Sequence, residues 1–221
     1  MAAKKKKIEK DKKKPAVVET VAESKLSKKE QEKTHDKILK GFLIGGVILI
    51  LIIVSVVYAV KSSKRFEYRG VDFEIVKTGS LVLYNTKIPV IIDGKERDYN
   101  FYLRTDPRTL DKNVSFEGNL SLAENLVLNS TEDFNCDGYG VIGIANLVNL
   151  YRVSGIEVIR DGTANCDPQG RYAFINLEKG NETSIKEIGP SCYQVQINNC
   201  EILGATEKLM LESFVKINEL I

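Results

Sequence analysis

The chain of 221 residues is ordinary in bulk, 43% apolar and 28% charged, and its net charge of +2 is a cancellation between unlike parts. Residues 1–40 hold 14 Lys against 7 acidic groups, residues 41–60 hold no charge, and residues 61–221 hold 18 basic against 23 acidic groups. Every basic residue of the first part is Lys, which excludes bidentate phosphate recognition there and with it specific nucleic-acid binding; the only histidine, His35, lies in the same part, so the rest of the chain has no imidazole for a triad, a base or a zinc site.

Residues 1–40 combine high charge with few large apolar groups and cannot bury enough surface to offset the entropy of ordering. They read as a disordered, Lys-rich cytoplasmic tail, helical only near residues 27–39. Its functional expectation is adhesion to anionic lipid headgroups, worth about 1 kcal/mol per Lys close to the surface. Residues 41–60, "GFLIGGVILILIIVSVVYAV", supply the roughly 20 apolar residues that a helix rising ~1.5 Å per residue needs to cross a ~30 Å hydrocarbon layer. This predicts one transmembrane helix, because the apolar core of a cleaved signal runs only about 7–15 residues. Gly41, Gly45, Ser55 and Ala59 place small residues along one side, a pattern that suits helix pairing in a homo-oligomer.

Six Lys in residues 25–40 face four basic groups after the span, Lys61, Lys64, Arg65 and Arg69. That bias points the N-terminus to the cytoplasm and the C-terminus outward, as in a single-pass cell-membrane protein. Four Asn-x-Ser/Thr sequons, at Asn113, Asn119, Asn129 and Asn181, all follow the span, as glycosylation candidates on an exported part would. Cys136, Cys166, Cys192 and Cys200 follow it too, in the compartment where disulfides persist.

Residues 61–71 read as a juxtamembrane linker and 72–221 as one extracytoplasmic domain. "VDFEIVK", "LVLYNTKIPVII" and "RDYNFYLR" are strand runs, the last two joined at the turn pair Asp93-Gly94. "TDPRTLDKN" breaks the pattern at Pro107. "ENLVLN" is a strand, residues 139–153 a helix whose polar stripe is Asn146, Asn149 and Arg152, and "IEVI" a parallel strand completing a βαβ unit. "RYAFINL", "TSIKEI" and "YQVQI" follow as strands. A terminal amphipathic helix over 205–220 turns Met210, Leu211, Phe214 and Ile217 inward and pairs Glu212 with Lys216 outside. The fold class is α+β with a mixed sheet, preceded by one transmembrane helix.

If the two strands of the βαβ unit are parallel neighbours, the loops after them open at one end of the sheet, and Cys136 and Cys166 lie in those loops. A Cys136 with Cys166 disulfide is therefore expected. It leaves Cys192 with Cys200 through a bend, although eight strand residues at about 3.3 Å each would hold them ~26 Å apart, so a crossed pairing stays open. The same region spells two motifs. Asp133-x-Asn135-x-Asp137-Gly138 opens a calcium loop but has Ile144 where a bidentate Glu belongs; a bridge to Cys166 would gather Asp133, Asp137, Asp161 and Asp167 for a hard cation. Gly138-x-Gly140-x-x-Gly143 spells a dinucleotide fingerprint, but no apolar strand runs directly into its first glycine and Asp137 would face the pyrophosphate. Asp137 also serves as a helix N-cap without any ion.

Two resemblances bear on function. "GNETSIKEIGPSCYQVQINNCEILGATEKLMLESF", with the Cys136–Cys166 segment, resembles single-span archaeal membrane proteins with an exported α+β domain, from about Asp72 onward; it implies an anchored domain and assigns no activity. Lys40-Gly41-Phe42 resembles the processing site of type IV pilin-like precursors, which would leave Phe42 as the mature terminus, although the fifth mature position is Gly46 where that family commonly has Glu. The expected function is an anchored domain that binds or assembles with a protein partner or its own copies. The alternatives are a pilin-like surface subunit and an extracytoplasmic enzyme working through carboxylates.

Overall fold

A computed structural model describes residues 23–62, 64–92 and 94–220. It divides into two units, residues 1–58 and 59–221. The first contains most of one long helix, α1, Glu23–Ser62. Within it Leu39–Val60 is long and apolar enough to cross a membrane, and none of that stretch is buried against the chain. The helix begins ahead of the expected residue 27 because Lys, Glu and Gln are good helix formers and an existing apolar helix removes the cost of nucleation. Residues 1–22 of the expected tail lie outside the described residues.

The second unit is α+β as expected and holds two sheets, one antiparallel and one mixed. The first is an antiparallel meander of β1 (Arg65–Tyr68), β2 (Val71–Thr78), β3 (Leu81–Ile92) and β4 (Lys95–Leu103). β1 occupies part of the span read as a linker. It pairs with β2 across Arg69-Gly70, both at positive φ, the backbone a two-residue hairpin turn demands. Ile92 opposite Lys95 confirms the two-residue turn between β3 and β4, of which Asp93 lies outside the described residues. Val71, Phe73, Ile88, Val90, Phe101 and Leu103 form the buried face of this sheet.

Helix α2 (Pro107–Asn113) stands where Pro107 was read as a break. Proline is tolerated at the first helical position, where its missing N–H has no partner to lose, and Asp106 caps the turn through the Arg108 N–H at 2.9 Å. There follow β5 (Ser115–Glu117), β6 (Asn125–Ser130), α3 (Tyr139–Val153), β7 (Glu157–Ile159), β8 (Ala173–Lys179), β9 (Ser184–Gly189), β10 (Cys192–Ile197) and α4 (Ile202–Leu220). The second sheet has the order β5-β9-β10-β8-β6-β7. β6 runs parallel to both β7 and β8, and β8 parallel to β10, so the βαβ unit is present.

Helix α4 is the spine of the unit. All ten residues from Ala205 to Phe214 are buried, and the helix packs on α3, α2, β10 and β2. Its amphipathic reading fails at Glu212, which is 8% exposed and bound to Arg69 and Lys208, whereas Lys216 pairs with Glu219 at 3.0 Å. A surface ion pair would contribute little, but a buried carboxylate must be matched inside the fold. Glu207, also buried, accepts the main-chain N–H groups of Arg104 at 2.6 Å and Thr105 at 3.0 Å; burial raises its pKa, and these hydrogen bonds oppose the rise.

Candidate functional site

The cysteines pair as Cys136 with Cys200 and Cys166 with Cys192, with Cα separations of 5.4 and 5.7 Å. This corrects the expected Cys136–Cys166 bridge and its remaining Cys192–Cys200 pair. Parallel direction explains the outcome. Cys136 follows β6 and Cys200 follows β10, so both stand at the carboxyl end of the sheet; Cys166 precedes β8 and Cys192 opens β10, so both stand at the amino end. The loop after β7 has to return to the amino end before β8 can run parallel to β6, and it carries Cys166 away from Cys136.

The glycine fingerprint resolves into packing. Gly138 takes φ +85° ahead of α3, a left-handed conformation that side chains disfavour. A Cβ on Gly140 would strike the Phe134 carbonyl, and one on Gly143 would strike the Thr206 hydroxyl of α4. Seven residues, 131–137, separate β6 from Gly138, so the strand-to-helix turn of a dinucleotide site is not formed. Gly140→Ala is expected to cost about 1–3 kcal/mol by forcing backbone apart, read as a lower denaturant midpoint; Gly143→Ala should cost less, because a hydroxyl rotates more readily than a carbonyl moves.

Of the residues of the calcium reading, Asn135, Asp161 and Asp167 are engaged locally. Asn135 accepts the Gly138 N–H at 3.2 Å, and Asp137 sits at φ 54° within a short 3-10 turn, Cys136–Gly138, so it is not the cap of α3. Asp161 accepts the Thr163 hydroxyl at 2.7 Å and N–H at 2.9 Å, which hold its carboxyl low. Asp167 is pushed down to about 2, chiefly by the Arg171 side chain at 2.8 Å and then by the Arg171 N–H. The Cys136–Cys166 bridge expected to gather these carboxylates is not formed, and among the described residues no group of three or more His, Cys, Asp or Glu is placed to hold a metal ion.

A groove opens instead where β7 stops. β7 pairs with β6 only from Asn125 to Val127, while β6 continues to Ser130 on its other side against β8. Beside the unaccompanied end of β6 lies a cavity of about 1050 Å³, walled by Ile144 and Val148 of α3, Val158 and Ile159 of β7, and the amides Asn129 and Asn176. A second cavity of about 550 Å³ adjoins it, bounded by the 132–135 loop, and shares Ser130, Ile144, Val148, Arg152 and Arg160 with the first. The groove thus lies beside the carboxyl end of β6, with an apolar wall and a few polar groups, the make-up of a binding cleft. Arg152 and Arg160 are exposed, and among the described residues neither has a carboxylate within salt-bridge distance. Sequence reading placed Arg152 on a polar stripe and passed over Arg160; the available signal was a basic residue directly after the last strand of a βαβ unit.

A smaller cavity of about 410 Å³ borders Arg69, Asp111, Lys208 and Glu212. Lys208, 3% exposed, donates to Glu212 at 2.8 Å and to Asp111. Arg69 holds both oxygens of Glu212 at 2.6 and 2.9 Å, and the Tyr68 hydroxyl donates to Asp111 at 2.7 Å. Burial works against ionising Asp111, and the hydrogen bonds from Lys208 and Tyr68 outweigh it, holding the carboxyl below its ordinary range. These groups satisfy one another and join β1, α2 and α4; their geometry is that of a structural network. Comparison with protein families, curated proteins and solved structures gives no match.

Proposed function

We propose that the protein is a single-pass membrane protein whose N-terminus is cytoplasmic and whose disulfide-stabilised α+β unit stands outside the cell, where it binds a partner in the groove beside β6. One observation carries the reading: all four cysteines close two bridges within the unit, and such bridges persist in oxidising compartments. The Lys excess ahead of the span supports the same orientation, with the tail lying against anionic headgroups.

Mass spectrometry of the non-reduced protein from its native membrane tests the reading. Glycans are expected at the exposed sequons Asn113, Asn119 and Asn181 and not at Asn129, which is half-buried in β6 opposite Asn176. Oligosaccharide-transferring enzymes need an accessible, flexible acceptor, and a strand residue is neither. Free thiols at all four cysteines, with every sequon bare, would overturn the assignment of compartment. A mature terminus at Phe42 in the same spectra would establish the pilin-like alternative.

A further inference from the structure

The groove has a feature that a cavity for a small molecule does not need. Along β6 the main-chain groups alternate between neighbours: Glu124 O accepts from Glu157 N towards β7, and Thr131 N donates to Leu177 O towards β8. Even-numbered residues of β6 therefore point to the β7 side. Since that ladder ends at Val127 opposite Ile159, the Leu128 carbonyl and the Ser130 N–H and carbonyl face the groove, and among the described residues they have no hydrogen-bond partner. Such an edge is a template for another chain.

We propose that the groove takes an extended peptide segment, which continues the sheet where β7 leaves it and presents a carboxylate to Arg152 and Arg160. Main-chain pairing with Leu128 and Ser130 would supply affinity, alternate side chains would meet Ile144 and Val148, and the planar guanidinium forks match a carboxylate in geometry and charge. Among the described residues neither arginine is in an ion pair with the nearby acidic groups: Glu132 and Asp133 border the smaller cavity but not the larger, and Asp161 is held by Thr163. The inference rests on reading the unit as a binding domain.

Fluorescence anisotropy on the full chain in lipid nanodiscs tests it with four labelled peptides of alternating valine and threonine. One ends in a free carboxylate, one is amidated with an internal glutamate, one is amidated and neutral, and one has the free carboxylate but N-methylated alternate backbone nitrogens. A carboxylate peptide should bind saturably; the neutral and N-methylated peptides, and the Arg152→Ala/Arg160→Ala variant, should each bind at least about tenfold more weakly, the effect of one charge-assisted or several main-chain hydrogen bonds. Whichever of the first two peptides binds tells a chain terminus from an acidic side chain. Both arginines are exposed, so the variant retains the fold, checked by circular dichroism. Equal binding of the neutral or N-methylated peptide, or indifference to the arginines, overturns the proposal. Binding of oligogalacturonate that needs the arginines, with no peptide bound, also overturns it and leaves the binding-domain reading standing; failure of all probes overturns the peptide, while failure of that broader reading appears separately, in the thiol and glycan spectra.

Discussion

Lys208→Met is expected to lower the unfolding free energy of the second unit by about 3–5 kcal/mol, the usual effect of leaving a buried carboxylate without its cation. Lys208 stands 3% exposed between Asp111 and Glu212. Methionine keeps the volume and the helix propensity, so the loss isolates the charge. Arg69 remains on Glu212, but Asp111 retains only the Tyr68 hydroxyl and the long Arg69 contact at 3.4 Å. Adding Asp111→Leu to Lys208→Met should recover most of the loss, because it removes the stranded charge as well. Urea denaturation followed by near-ultraviolet circular dichroism measures both variants. A loss under about 1 kcal/mol in the single variant would mean that water reaches the network through the adjoining cavity and that Lys208 is not a structural ion.

Cys136→Ala/Cys200→Ala removes the outer of two nested bridges, whose sequence separations are 64 and 26 residues. Loop closure in the unfolded chain then predicts a loss of about 4 kcal/mol for the outer pair and about 3.5 kcal/mol for Cys166→Ala/Cys192→Ala. The inner pair should lose more than its loop length implies, since Cys192 is fully buried beside Val127 and Phe174 and its truncation leaves a cavity. The outer pair carries a different consequence. Cys136 anchors the loop whose residues 132–135 wall the smaller cavity, so its removal should also loosen the groove. Peptide mapping of the untreated protein checks the pairing, provided chymotrypsin cuts after Tyr193; no Lys or Arg lies between Cys192 and Cys200, so trypsin alone leaves them on one peptide.

The cysteines show where sequence reading stopped. That β6 and β7 are parallel was legible from period and length, and that cysteines follow both was plain. The 160–172 loop does not stay at the end of the sheet where it begins. Its path is dictated by β8, which inserts on the other side of β6 and obliges the chain to travel back along the sheet. Sheet order is a long-range outcome, and no local pattern encodes it. Helix α4 shows the same limit differently. Its apolar residues were assigned inward correctly, but Glu212 was assigned outward because a charge at helical spacing to a Lys ordinarily belongs on a solvated face. Arg69, arriving from a hairpin 143 residues earlier, and Lys208, one turn back on the same helix, make its burial tolerable.

Gly140 and Gly143 show the same limit in a motif. Their spacing in a helix was legible, yet the reason for them was the close approach of Phe134 and of α4, neither of which a one-dimensional pattern contains. By contrast, the charge-free run at 41–60, the bounds of α3 and the positions of eight of the ten strands among the described residues follow from local hydrophobic period, β-branched runs and turn residues. Those properties act over a few residues and are therefore complete in the sequence itself. Which thiols meet, which charges are buried, and that β7 ends early enough to leave Leu128 and Ser130 facing a groove were decided by tertiary structure, because each depends on which distant segment comes to lie alongside.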